Sequence, residues 1–237
     1  MNTNPEVRTQ KREHGYSTIL FDIDGTLVDS NDAHAEAWVR AFAEAGITVD
    51  PAHVRRCIGM GGDKLMPEVS GLDEDSPRGK EIARRRREIF TSDYLPGLRA
   101  FPDADRLVAA FKERGFTVVA ASSAKREELS RLLQIARAET LMDGATSSDD
   151  AEESKPDPDI LHAALARAEA PAAAALMIGD TPYDIAAAAR AGVDAIAFRS
   201  GGWNDSDLAG ALAIYDGPAD LLANLASTLD GRLEQAC

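Results

Sequence analysis

Four short apolar runs punctuate the chain: TILFDI (Thr18 to Ile23), FTVVAA (Phe116 to Ala121), ALMIG (Ala175 to Gly179) and DAIAF (Asp194 to Phe198). None alternates apolar with polar residues, so both faces of each must be shielded from water. Strands of a parallel sheet covered by helices on both sides meet that condition. Between the runs the hydrophobic period becomes helical. PDADRLVAAFKERG opens on proline and acids and closes on glycine, the asymmetry of a helix, and KREELSRLLQIA, PDPDILHAALARAEA and TPYDIAAAARAG follow it. Strands alternating with helices predict an α/β fold, a Rossmann-like parallel sheet with right-handed crossovers.

One segment breaks the alternation. From Asn31 to about Tyr94 the signals are helical and no strand is convincing. NDAHAEAWVRAFAEAG places Ala37, Trp38, Ala41, Phe42 and Ala45 on one face, and PRGKEIARRRREIFTSDYL reads as a long charged helix. Trp38 reads as core of this block, and Arg84 to Arg87 as a solvated helix face. A helical block between the first strand and the next βα unit predicts an inserted cap domain over 31–96, within a core formed by 16–30 and 97–237. Residues 1–15 are polar throughout and are read as a frayed tail.

The totals narrow the setting. The 237 residues suffice for a substantial core, and 44% hydrophobic with 28% charged residues is ordinary for a globular protein. A formal charge of −14 argues against nucleic-acid and anionic-membrane partners. No apolar stretch is long enough to span a bilayer, and the first fifteen residues lack the apolar core of a secretory signal. Two cysteines, Cys57 and Cys237, give no disulfide framework, so a reducing cytoplasm is expected. The histidines and cysteines show no zinc-ligand spacing.

In open parallel sheets ligands bind at the carboxyl ends of the strands, and chemistry-bearing residues follow each run here. The first is closed by Asp22, Asp24 and Thr26, the second by Ser122, Ser123 and Lys125, and the third by Asp180 with Asp184 one helical turn later. Lys155 lies in ESKPDPDI, a loop rich in proline. Carboxylates, hydroxyls and a lysine at one edge suit a metal and a phosphate. Hard oxygen ligands hold Mg²⁺, Lys155 and a serine hydroxyl hold phosphate oxygens, and Gly25 lets backbone N–H groups approach. One aspartate can then attack phosphorus, and the other can protonate the leaving oxygen and activate water. The D-x-D-G stretch does not fit an EF-hand, since its glycine comes early and Ala33 stands where glutamate is needed. IGMGGDK, Ile58 to Lys64, fits neither dinucleotide nor P-loop spacing.

DIDGTLVDS, the serine of AASSAK, the lysine of SKPDPDI and IGDTPYDI resemble, in order, the four motifs of the haloacid dehalogenase-like superfamily. The similarity runs from about Tyr16 to the C-terminus. The position of the helical insertion resembles the branch with a four-helix cap, which includes phosphoglycolate-phosphatase-like enzymes and β-phosphoglucomutases. The resemblance implies that Asp22 is the nucleophile and Asp24 the general acid/base. It implies that Ser122, with neighbouring Ser123, and Lys155 bind phosphate, and that Asp22, the Asp24 carbonyl and Asp180 bind Mg²⁺, with Asp184 and Thr26 in support. It also places the glycine-rich loop of Gly59, Gly61, Gly62 and Lys64 over the site as a determinant of substrate choice, and His34 where this branch carries a histidine at the cap hinge.

The function so implied is a Mg²⁺-dependent phosphatase acting on a small phosphorylated metabolite. The rival is a sugar-phosphate mutase sharing the phosphoaspartate. The resembling mutases carry Glu–Asp where Gly179–Asp180 stands here, and an arginine in the cap loop near Gly62, whereas Lys64 is the only cation in that loop. A hydrolytic dehalogenase would lack Asp24. A phosphoacceptor signalling module would leave Asp24 and the cap without a role.

Overall fold

The computed structural model describes residues 15–233; most of the polar stretch 1–15 lies outside them. Six strands form one wholly parallel sheet: β1 (Thr18–Phe21), β2 (Thr117–Ala121), β3 (Gly144–Thr146), β4 (Ala175–Gly179), β5 (Asp194–Phe198) and β6 (Ala213–Tyr215). Their order is β3-β2-β1-β4-β5-β6, so the chain builds outward from β1 on one side and from β4 on the other. β1 and β4 meet at the reversal, with Phe21 beside Ile178.

Nine helices accompany the sheet among the described residues: α1 (Asn31–Glu44), α2 (Pro51–Cys57), α3 (Gly62–Ser70), α4 (Pro77–Ile89), α5 (Ala104–Glu113), α6 (Arg126–Ile135), α7 (Asp159–Ala168), α8 (Pro182–Ala191) and α9 (Pro218–Leu233). Side chains alternate across the sheet as a pleat requires. Ile19, Phe21, Val118, Ala120, Leu176, Ile178, Ile196 and Phe198 enter the core cluster covered by α5, α6 and α9. Leu20, Val119, Ala121, Met177, Ala195 and Ala197 pack with α7 and α8. Burial on both faces explains the unbroken apolar runs.

The two three-residue strands, β3 and β6, are not marked as strands in the sequence pattern, and β1 stops at Phe21, short of Ile23. Residues 31–97 hold α1 to α4, a π-helical turn at Phe90–Tyr94 and a short 3₁₀ turn, with no strand of the sheet. Their buried side chains, Trp38, Phe42, Val54, Ile82 and Phe90 among them, continue the first core cluster without a break. No helix among the described residues is long and apolar enough to cross a membrane.

Candidate active site

The chain leaves β1 through Asp22, whose backbone N–H still donates to Ile178 of β4 at 2.9 Å. Asp22 is therefore fixed at the reversal point of the sheet, and Asp180, one residue past β4, stands beside it. Both are buried, Asp180 fully so. The Thr26 hydroxyl lies between them, 3.1 Å from Asp22 Oδ2 and 2.9 Å from Asp180 Oδ1. Asn31 Nδ2 donates to Asp180 Oδ2 at 2.8 Å. The turn that brings these groups together needs glycine at position 25. Its φ is +77°, and a β-carbon there would lie 2.2 Å from both Asn31 Nδ2 and Asp180 Oδ2.

Lys155 supplies the positive charge. Its side chain is 1% exposed, and Nζ donates to Asp22 Oδ1 at 2.6 Å and to Asp184 Oδ1 at 2.7 Å. Asp184 serves two partners: its Oδ2 accepts from Thr181 N–H and Oγ1 in a capping box that opens α8. Carboxylate oxygens of Asp22, Asp180 and Asp184 all lie within 4.8 Å of one another. One ammonium does not balance three buried carboxylates. Burial pushes the Asp22 carboxyl up to about 7 despite Lys155, with Asp184 and Asp24 adding repulsion, and burial with the charges of Asp22 and Asp184 holds Asp180 well above the ordinary range. For Lys155, the two carboxylates outweigh burial and hold the ammonium above its usual value.

Asp24, two residues on, has a different environment. Its Oδ1 accepts from Ser30 Oγ at 2.5 Å and from His34 Nε2 at 2.7 Å. Burial alone would raise this carboxyl, but His34, Ser30 and Arg86 outweigh it and hold it below the ordinary value. The carboxylate of Asp24 is not in the three-carboxylate cluster, so any part it takes in metal binding falls to its backbone carbonyl.

His34 leads to a correction. Arg86 does not belong to a solvated face. Arg84 and Arg85 do: they pair with Glu81, Glu88 and Glu44 at the surface. Arg86 turns inward, stacked over Trp38 and Phe90 at 5.5 and 5.2 Å, with an amino group 2.6 Å from His34 Nδ1 and another 3.0 Å from Glu128 of α6. A guanidinium only donates, so Nδ1 accepts and the ring proton on Nε2 donates to Asp24. The signal lies in the spacing: Arg86 is four residues after Ile82 and four before Phe90, on the apolar stripe of its helix. Glu128, Ser30 and Asn31 carry no comparable signal.

A cavity of about 480 Å³ opens from Asp22 and Asp24 and is walled by the insertion, with Gly59, Gly61, Gly62, His34 and Trp38 among its lining residues. Trp38 thus belongs both to the core and to the wall. Ser123 lines it too, while Ser122 is buried with its Oγ accepting from Ala124 N–H at 3.0 Å. Lys64 departs from expectation. It pairs with Glu153, and with Asp157 at 3.1 Å, tying the start of α3 to the loop before α7, and it is absent from the cavity wall. Nor is it the only cation near the glycine loop, because Lys80, Arg86, Arg87 and Lys125 border the cavity. Linear distance along the chain hides them.

A family model described as "Haloacid dehalogenase-like hydrolase" matches residues 19–198. A protein of Rhodospirillum rubrum named phosphoglycolate phosphatase is 32% identical over 214 residues, covering 86% of this chain and 88% of its own. The crystal structure of a hydrolase from Pseudomonas syringae superposes with a TM-score of 0.84 at 27% identity, covering 89% of this chain and 98% of that one. A putative β-phosphoglucomutase from Bacteroides vulgatus superposes with a TM-score of 0.81 over 92% and 90% of the two chains. At 24% identity that last likeness speaks for the fold alone.

Proposed function

The chain belongs to the haloacid dehalogenase-like hydrolase family, and on that premise we propose that it is a phosphatase, cleaving a small phosphate monoester through an aspartyl-phosphate on Asp22. The observation that carries the reading is the buried Lys155 ammonium, 2.6 Å from Asp22 Oδ1 and 2.7 Å from Asp184 Oδ1, beside Asp180 at the reversal of the sheet. The relative named phosphoglycolate phosphatase supports the reaction class.

Mg²⁺ fits the donor set. Hard carboxylate oxygens of Asp22 and Asp180 lie together, and burial, with repulsion among the carboxylates adding to it, raises both carboxyls, an effect a cation would offset. Asp22 and Asp180 would hold it together with the Asp24 carbonyl, leaving Asp184 to Lys155 and the α8 cap. When bound, Mg²⁺ supplies charge neutralisation at the phosphate oxygens. The carboxylate of Asp22, beside the Lys155 ammonium, attacks phosphorus in line as the bond to the leaving oxygen breaks. Lys155 and the hydroxyls of Ser122 and Ser123 hold phosphate oxygens. Asp24, ionised in the free protein, takes up a proton when a phosphate dianion enters beside it. It gives that proton to the leaving oxygen, then takes one from the water that cleaves the aspartyl-phosphate. His34 and Ser30 hold its carboxylate in place.

Two measurements check this reading. Offered β-glucose 1-phosphate with a catalytic amount of the 1,6-bisphosphate, the protein should release inorganic phosphate without accumulating glucose 6-phosphate; efficient isomerisation would make it a mutase. The second is thermal melting in chelator and in Mg²⁺. Carboxyls raised in the folded state contribute stability that is present below the unfolded value of 3.8 and is lost as pH rises through about 7 for Asp22. Metal-free protein should therefore weaken across that window, and Mg²⁺ should raise the melting temperature more at about pH 7.5 than at about pH 5, because it binds the deprotonated site. An equal shift at both pH values would count against Asp22 and Asp180 as ligands.

A further inference from the structure

We infer, on the basis of the phosphatase reading, that the substrate's leaving group is a hydroxylated or aminated skeleton carrying no anion besides the phosphate to be cleaved, and that Glu74 contacts it. The cavity's 480 Å³ falls in the range of small-molecule sites, roughly 300–1,000 Å³, so the leaving group meets this wall. The wall's charges decide what it accepts. Of the cations that border it, Arg86 is held by Glu128 at 3.0 Å, Lys80 by Asp75 at 3.2 Å and Lys125 by Asp149 at 3.0 Å. Arg87, an exposed residue, is the exception. Lys80 and Lys125 are exposed, so a second phosphate or a carboxylate would have to displace Glu128 from Arg86 to gain a cation sheltered from water.

The acids are in excess, and of the two without a partner among the described residues, Glu74 and Glu152, only Glu74 is sheltered from solvent. Glu74, in the loop between α3 and α4, is half-buried, lines the cavity and has no hydrogen bond or ion pair to any described residue. Its carboxylate fits against the glycine loop because position 62 has no side chain: a β-carbon there would lie 2.6 Å from Glu74 Oε1. Burial, and then the charge of Asp63, hold this carboxyl above its ordinary value. A ligand hydroxyl or ammonium donating to it relieves both effects, whereas a ligand anion adds to them. Apart from Ser123, already given to the phosphate, the same wall holds two buried polar atoms with no partner among the described residues, Ser148 Oγ and Arg86 Nε. A ligand group that reaches them supplies the hydrogen bonds they lack. A hydroxyl group can do so at both, since it both donates and accepts.

The test is kcat/KM for phosphate release, in Mg²⁺, from glucose 6-phosphate, glucosamine 6-phosphate, 2-phosphoglycolate and glucose 1,6-bisphosphate. p-Nitrophenyl phosphate serves as a probe whose leaving group makes none of these polar contacts. Both sugar monoesters should exceed the two probes with an additional anion by about tenfold or more. Glu74→Gln, in an exposed loop that tolerates it, should lower the ratio of glucosamine 6-phosphate to 2-phosphoglycolate by about fivefold or more. A preference for either anionic probe, or a ratio unmoved by Glu74→Gln, would overturn the inference while leaving the phosphatase reading intact, since phosphate is still released. No release from any ester, p-nitrophenyl phosphate included, would overturn both.

Discussion

Asp22→Asn is expected to lower phosphate release by about four orders of magnitude or more, the scale on which enzymes lose activity with their nucleophile, while the protein stays folded. The substitution keeps the side chain's size and its place at the end of β1, where the backbone N–H donates to Ile178. It removes the negative charge proposed to attack phosphorus. The fold should not suffer: burial already pushes this carboxyl up to about 7, and Asp184 and Asp24 repel its charge. The amide oxygen introduced at this position can still accept from Lys155, and Lys155 keeps Asp184 at 2.7 Å. The measurements are phosphate release from p-nitrophenyl phosphate and a thermal melt on the same sample. Near-normal release from a folded Asp22→Asn protein would remove Asp22 from the chemistry, and Asp24 or Asp180 would have to take its place.

Much of this site is legible in the chain because parallel sheets collect function at strand ends. Asp22, Asp180 and the serines directly follow buried runs, so a one-dimensional reading finds them. β3 escapes that reading because Gly144 to Thr146 makes no apolar run, and β6 because its three residues, all half-buried, lie in a short stretch next to a helix and not between helical patterns. They are strands by virtue of pairing with β2 and β5, which is tertiary information. Contacts between distant segments escape for the same reason. Glu128 is 42 residues from Arg86 and reads as a first-turn acid of α6. Lys64 reads as a free cation of the glycine loop, yet Glu153 and Asp157 engage it from the far side of the sequence. Arg86, the cation that turns inward to His34 and Glu128, hides within a run of four arginines, where only helical spacing marks it out.

Lys155→Met should damage both stability and turnover, and the pH at which the stability loss is measured should separate its causes. The ammonium is buried between Asp22 and Asp184, with Asp180 hydrogen-bonded to the same Thr26 as Asp22. Methionine fills a similar volume and leaves these carboxylates with no buried cation among them. Breaking a buried pair in this way costs about 3–5 kcal/mol, which for a domain of this size lowers the melting temperature by roughly 10 °C. The loss should be largest near pH 8 in chelator, where Asp22 and Asp180 are driven to ionise. It should shrink toward about pH 5, where protons neutralise Asp22 and Asp180 in place of the ammonium. Mg²⁺ should recover part of the stability at pH 8, since it would supply positive charge to the same oxygens, but should not recover phosphate release if Lys155 holds the phosphate as proposed. A Lys155→Met protein as stable as the parent at pH 8 would mean that the strand ends are held by packing alone, and the charge argument for a cation beside Asp22 would lose its footing.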